Sequence, residues 1–573
     1  MRRRARLAVA TAAVLACGVA GTAPALANDV DRPEKGFMPA TTVLRDASPQ
    51  SVGLDPEPIA AAVDAVDGFE QPQSNGHPMY SGAVGLMGHD GRVVARHASG
   101  YALRWADAST ELPREQWVPM REDTLFDLAS VSKLFTSIAT VQLIEDGTVD
   151  LEAPVATYLP EFAANGKEDV TVRMLLTHTS GFTAWLPLYS AYDDEASRVR
   201  AVMEQPLTDP PGTTYRYSDL NLITLGVMVE RLTGKGLDEV VHDRITEPLG
   251  MDDTGYNPTD TERTAATEYQ STPPRGLVWG EVHDENAWSL GGVAGHAGVF
   301  STADDLAVLA QALLNGGTYR HHRILERTSV QLLTTNFTEA FPGDAHGLGF
   351  ELDQRWYMDA LSGPRTAGHT GYTGTSIVID FDSRSFAILL TNRVHPSRSW
   401  GSNNEARRAW AHGLAMAMPL PPRRGREAWY AGGENSTTAT LTAAVTVPRP
   451  GGRLAFDLFV DTEPTDVLTL EASADGGATW EPLPFTVRDR GGTEETDGSV
   501  SGEHDRRWMQ ARAQLPAGTR LLRWRMSTDA TALGRGVVVD GVRATSRRGV
   551  LLDGERHAEV FESDGWSVVR RDA

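Results

Sequence analysis

The spacing of apolar residues divides the chain into two regimes. In "DPEPIAAAVDAVDGF" (55–69), "LFTSIATVQLIEDG" (134–147), "LNLITLGVMVERLTG" (220–234) and "DDLAVLAQALLNGG" (304–317), apolar positions recur with helical spacing. Gly147 and Gly234 are placed to end two of these predicted helices. Two stretches alternate instead. "SGAVGLMGHDGRVVARHASGYA" (81–102) predicts two strands turning at Asp90-Gly91, and "TSIVIDFDSRSFAILLTNR" (375–393) predicts strand, turn, strand. Strands therefore bracket a mostly helical middle, which gives an α/β body over 51–417. A Pro- and Arg-rich linker follows (418–434). Beyond it, short alternating segments such as "RLAFDLFVD" and "GVVVDGVRA", joined by Gly and Asp turns, predict an all-β sandwich over 435–573. Residues 28–50 are polar and irregular and read as a tether.

Length and charge narrow the classes. A chain of 573 residues calls for more than one domain. A formal net charge of −23 argues against a nucleic-acid partner, which needs a basic stripe. The first residues combine an arginine-rich start, an apolar run and Ala25-Leu26-Ala27. This pattern predicts a secretory signal peptide over 1–27 and a secreted protein. Cys17, the only cysteine, lies inside that segment. It is either an apolar filler or, since "VLACG" resembles a bacterial lipobox, the point of a lipid anchor. Cleavage after Ala27 leaves a mature chain with no thiol and no disulfide. No later run is long and apolar enough to span a membrane.

Lysine usage brings in the chemistry. Lys35, Lys133, Lys167 and Lys235 are the only lysines, and Lys133 stands three residues after Ser130 in "FDLASVSKLFTS" (126–137). In a helix this spacing puts both on one face. A serine hydroxyl needs a base to become a nucleophile, and a buried lysine can serve. A second station is "PGTTYRYSDLN" (211–221), where Tyr217-Ser218-Asp219 opens a predicted helix. Tyr217 is either a proton relay or a core aromatic, and Asp219 either part of the site or a helix cap. A third is "AGHTGYTGTSIVID" (367–380), where His369-Thr370-Gly371 opens a strand whose edge could hold a substrate amide. Taken alone it is a glycine-rich turn.

Ser-x-x-Lys, Tyr-x-Asp and His-Thr-Gly, in that order, resemble the serine penicillin-recognising hydrolases: class C β-lactamases, D-Ala-D-Ala carboxypeptidases and related esterases. "LLTHTSGF" (175–182) and "EPLGMDDTGYNP" (247–258) strengthen the likeness. The resemblance implies an antiparallel sheet flanked by helices. It also implies Ser130 as acylated nucleophile, Lys133 as base, Tyr217 as relay and an oxyanion hole from the N–H groups of Ser130 and Tyr372. His369 stands where many relatives carry lysine, and a positive or hydrogen-bonding group there suits a substrate carboxylate. Asp219 replaces the more usual asparagine, and a carboxylate beside Lys133 would hold that lysine charged.

The stretch "RGLVWGEVHDENAWSLGGVAGHAG" (275–298) resembles a subgroup acting on peptidoglycan fragments, including carboxypeptidases and an N-acetylmuramoyl-L-alanine amidase. Its His283, Asp284, Asn286 and His296 are expected, with Thr370 and Gly371, to line a substrate pocket. They could otherwise form a hydrogen-bonded loop. Two histidines and an aspartate raise zinc, but the spacing matches no zinc pattern, and no metal or cofactor is expected. The C-terminal segments resemble jelly-roll modules of secreted hydrolases. There Trp480, Trp508 and Trp524 are either sugar-stacking or core aromatics. The expected partner is a peptidoglycan-derived or other small amide or ester. An esterase or weak β-lactamase shares the same machinery, and a non-catalytic receptor is the rival of another class.

Overall fold

The computed structural model describes residues 30–489 and 491–570. The signal peptide expected over 1–27, with Cys17, lies outside the described residues. The body is a sheet covered on both faces. Its strands are β1 (Arg45–Asp46), β2 (Gly82–His89), β3 (Arg92–Leu103), β4 (Glu351–Leu352), β5 (Thr366–Thr370), β6 (Ser376–Asp380) and β7 (Ser385–Thr391), in the order β1-β3-β2-β7-β6-β5-β4. All neighbours are antiparallel except β1 and β3. The β2–β3 turn is at Asp90-Gly91, both with positive φ (45° and 77°), the pairing a tight hairpin requires.

Every residue of β2, β6 and β7 is buried, as expected of strands packed on two sides. Side-chain alternation sends Val84, Leu86, Ile377, Ile379, Ile388 and Leu390 into one core. That core is closed by helices α2 (Ser132–Glu145), α3 (Asp219–Thr233) and α4 (Ala303–Leu314). Ala83, Met87, Val378, Ala387 and Leu389 face a second core built with α1 (Pro56–Gly68) and α5 (Asn404–Ala417). A Cβ on Gly413 of α5 would lie 2.4 Å from that of Ala62, so these two helices cross at close range only because position 413 is bare.

Two boundaries differ from the sequence expectation. The 30–50 segment is no free tether. Met38 is buried in the body, its N–H donates to the Leu314 carbonyl at 2.8 Å, and Arg45–Asp46 pair with Arg92–Val93. The apolar pair Phe37-Met38 inside a polar stretch gives the segment something to bury. Inside the linker, Glu427–Ala431 is a strand that pairs with Gly536–Ser546 and Ser567–Arg570. Its buried Ala428 and Ala431 are masked in sequence by the neighbouring arginines.

From there the chain forms two antiparallel sheets enclosing a separate core around Leu441, Leu458, Leu470 and Trp524. Trp524 and Trp508 are buried, which places them in cores rather than on a sugar-binding surface, while half-buried Trp480 carries the Arg523 guanidinium 3.9 Å from its ring centroid. The sandwich joins the body through Phe459, Trp508 and Val538, which share a core with Tyr357, Met358 and Leu361. Two ion pairs cross the seam: Arg506 to Asp380 at 2.6 Å and Arg355 to Asp461 at 2.8 Å. Among the described residues no helix is long and apolar enough to cross a membrane.

Candidate active site

Ser130 is held by a strained turn. Before it, Ala129 adopts φ 46°, a conformation that costs a non-glycine residue on the order of 1 kcal/mol or more. Buried Asp127 over-determines that turn. Its carboxylate accepts from the Ala129 N–H at 2.8 Å and from the His283 N–H at 2.6 Å. Thr373 and Thr375 donate to the carbonyls of Asp127 and Leu128 at 2.7 and 3.0 Å. The turn between β5 and β6 is thereby fixed to the segment that carries Ser130. Ser132 accepts from the Val299 N–H at 3.0 Å and anchors the first turn of α2.

Lys133 follows one helical turn on and is fully buried. Its ammonium donates to Ser130 Oγ at 2.8 Å and to the His296 carbonyl at 3.1 Å, and pairs with Asp219 Oδ1 at 2.8 Å. The Tyr217 hydroxyl bonds both Ser130 and Lys133. Four oxygens thus surround three ammonium hydrogens. Burial by itself would discharge the lysine, but the Asp219 carboxylate and the Tyr217 oxygen outweigh it and raise its pKa. Asp219 is the first residue of α3. The capping position belongs to Ser218, which leaves the Asp219 side chain free to reach Lys133.

Tyr217 lies against the ring of His178, centroids 4.6 Å apart. His178 accepts at Nδ1 from the Ser218 N–H and from Asn221, and burial together with the charges around it pushes its pKa far down. Burial pushes the phenol up to about 12, although Lys133 pulls the other way. The resting site therefore holds an ammonium and a neutral phenol.

His369 corrects an expectation. Its Nδ1 donates to the Thr370 carbonyl at 2.7 Å and its Nε2 is buried without a partner. Burial, then Lys133, lower it to about 3, so it is neutral at physiological pH and offers a lone pair rather than a positive charge. Beside it, a Cβ on Gly371 would lie 2.3 Å from the Leu128 carbonyl oxygen, so only glycine fits that contact. Ser130, Tyr217, His369, Thr370, Gly371 and Tyr372 line one cavity of about 460 Å³.

The profile of the family described as Beta-lactamase matches residues 76–412. The chain belongs to the β-lactamase family. Its curated relatives include proteins named "Putative D-alanyl-D-alanine carboxypeptidase" from Salmonella agona and Salmonella typhi. They are 33% and 34% identical over 389 and 391 residues, which is 62% of this chain and 87% of each relative. Among solved structures, EstCE1, a hydrolase with promiscuous acyltransferase activity, shares 22% identity at a TM-score of 0.50. The match covers 63% of this chain and 99% of that one. The protein is a serine hydrolase related to the β-lactamases and penicillin-binding proteins.

Within this β-lactamase-family body, the polar residues of 275–298 do not line the cavity. His283 lies behind it, bonded to Glu268 at 2.9 Å and stacked on Tyr372 with centroids 5.8 Å apart. Asn286 accepts from the Tyr189 N–H and donates to the Leu186 carbonyl, stapling a neighbouring loop. Asp284 bonds His296 at 3.0 Å, and it is the backbone carbonyl of His296 that meets Lys133. These groups are committed to one another or to neighbouring residues of the body, so the expectation that they contact substrate fails. Asp219, Asp284 and His296 bring donor atoms within 4.8 Å of one another, but the Lys133 ammonium already neutralises that carboxylate group.

The sequence reading missed Asp127, His178, Arg393 and Arg407. Asp127 and His178 lie inside stretches already singled out, "FDLASVSKLFTS" and "LLTHTSGF". Arg393 and Arg407 carry no local signal. They reach the site only because β7 and α5 end beside the β5–β6 turn.

Proposed function

We propose that the protein is a secreted hydrolase that forms an acyl-enzyme at Ser130 and cleaves an amide in peptidoglycan or its fragments, as a D-Ala-D-Ala carboxypeptidase or an N-acetylmuramoyl-L-alanine amidase. The observation that carries it is the contact of Lys133 Nζ with Ser130 Oγ at 2.8 Å, with Tyr217 bonded to both. Once the Lys133–Tyr217 pair has released one proton to solvent, Ser130 Oγ attacks the carbonyl and its own proton passes to that pair. The N–H groups of Ser130 and Tyr372 hold the oxyanion. Tyr217 then protonates the leaving amine, and the same pair later takes a proton from the hydrolytic water. The names of the Salmonella relatives support the carboxypeptidase side, and the export signal read over 1–27 supports an extracellular substrate. A neutral His369 also admits uncharged acyl substrates, which supports an esterase as a second reading.

Fluorescent penicillin or a fluorophosphonate should label the wild-type protein at one site and leave Ser130→Ala unlabelled. A panel of D-Ala-D-Ala peptide, muramoyl peptide, nitrophenyl ester and nitrocefin then assigns the substrate. Absence of both labelling and turnover would establish the non-catalytic receptor instead.

Asp219 sets the pH at which the site becomes basic. Its carboxylate favours the charged form of Lys133, so Asp219→Asn lowers that pKa and the deprotonated pair is populated at lower pH. The acid limb of the kcat/KM profile should move down by about one pH unit or more. An unmoved limb would assign the profile to another group.

A further inference from the structure

The seam between body and sandwich holds a buried cation without a counter-ion. Arg506 and Arg355 take Asp380 and Asp461 as partners. A third arginine, Arg535, stands just before the strand Gly536–Ser546 and is 4% exposed. Among the described residues it forms no ion pair. It donates to the carbonyl of Ala415 in α5, and its Nε is buried without a partner. The carboxyl end of a helix offers a partial charge, not a full one. Burial, followed by the Arg506 cation, pushes the Arg535 pKa down to about 9, and the more distant Asp461 and Asp380 do not offset this.

Arg535 also lines a cavity of about 970 Å³. Met416 and Met418 at the end of α5, Leu420 beyond it, and Val538 and Val569 of the sandwich give this cavity apolar walls. Tyr430, in the strand Glu427–Ala431, adds a second polar group. Its hydroxyl is buried without a partner, and burial drives it up to about 12, so it is a donor. The one carboxylate in the lining, Asp55, accepts from the Glu57 N–H at 2.9 Å and caps α1. Two exposed arginines, Arg32 and Arg570, add positive charge to the lining.

Buried polar groups are normally bonded and buried charges normally paired. A guanidinium and a phenol break both rules on the wall of one largely apolar cavity. An apolar molecule with a single anionic head would meet both needs and fill the space between them.

We propose that this cavity binds a small amphiphile, an aliphatic or aryl body ending in a carboxylate that pairs with Arg535 and accepts from the Tyr430 hydroxyl. One surplus buried charge calls for one negative charge, which favours a carboxylate over a phosphate carrying nearly two. The occupant touches α5 and the sandwich together, so it fastens the two halves of the chain.

Calorimetric titration of the full chain tests this with decanoate, decanol and decyl phosphate, each below the concentration at which it aggregates. Decanoate should bind at one site, roughly 10- to 100-fold more tightly than decanol, the range of a charge-assisted hydrogen bond. Affinity should rise about fourfold per methylene from octanoate to decanoate. Arg535→Met should bring decanoate to the level of decanol, and Tyr430→Phe should weaken it by roughly 3- to 10-fold. Saturating decanoate should raise the melting temperature of the wild type and leave that of Arg535→Met unchanged. In that variant the Ala415 carbonyl still accepts from the Met418 N–H at 3.2 Å, and near-ultraviolet circular dichroism confirms that each variant is folded. If Arg535→Met fails to fold, Met416→Trp, which fills the cavity from α5, takes its place and should abolish binding. Equal affinity for decanoate and decanol, undiminished affinity in the variant used, or no binding of decanoate at millimolar concentration overturns the proposal. Tighter binding of decyl phosphate than of decanoate overturns the carboxylate in favour of a phosphate head.

Discussion

Replacing Lys133 by methionine should lower kcat/KM by roughly 10³-fold or more, near the upper range for losing a positioned acid–base group. The methionine fills the space of the alkyl stem but leaves Ser130 Oγ without its bond and Tyr217 without its charged neighbour. Acylation should slow as much as turnover, because the same pair serves both half-reactions. Removing the lysine also strands the Asp219 carboxylate, which pairs with Lys133 at 2.8 Å, so some of the loss could come from distortion of the site. The double variant Lys133→Met/Asp219→Asn separates the two. It should recover thermal stability relative to Lys133→Met and remain inactive. Activity of Lys133→Met within tenfold of wild type would remove this lysine from the chemistry.

Arg506→Met should destabilise the protein by about 3–5 kcal/mol, the range for removing one partner of a buried pair. Arg506 belongs to the sandwich but inserts into the body. It pairs with Asp380 at the end of β6 and donates to the carbonyls of Leu361 and Ser362 at 2.6 and 2.7 Å. The methionine leaves Asp380 buried without its cation and two carbonyls unsatisfied. Urea unfolding of Arg506→Met/Asp380→Asn should recover a large part of the loss, because it removes the stranded charge. A change in midpoint corresponding to less than about 1 kcal/mol would mean that water replaces the arginine at this seam.

The elements that set the fold were legible wherever one physical rule dominated. Helical periodicity placed α2, α3 and α4 within a few residues, because each buries one or more complete faces. The Asp90-Gly91 hairpin followed from the left-handed conformations it needs. Helix α5 passed unrecognised because its arginines and histidine interrupt an otherwise apolar pattern, though Trp410 and Leu414 are buried.

The site was legible in its local parts and not in its long-range ones. The Ser130–Lys133 spacing is a helical property, so sequence carried it. That Asp219 reaches Lys133 rather than capping α3 depends on how two helices pack, which no local pattern encodes. The neutrality of His369 depends on burial and on Lys133, again a property of the assembled site. His283, Asp284, Asn286 and His296 looked like substrate ligands because they are polar and clustered. In the fold they are satisfied by each other or by the body around them, as buried polar groups must be.

The short segment Arg355–Met358 faces both ways. Trp356 and, just before it, Gln354 form part of the cavity wall, while Arg355 between them is tied to Asp461 of the sandwich. Next to it, the Asp359 carboxylate accepts the Leu533 N–H from the same domain. The C-terminal module therefore acts as a buttress. Cutting the chain after Ala417 would remove these ties and leave this wall of the cleft held from within the body alone, where Arg408 donates to the Trp356 carbonyl at 3.1 Å.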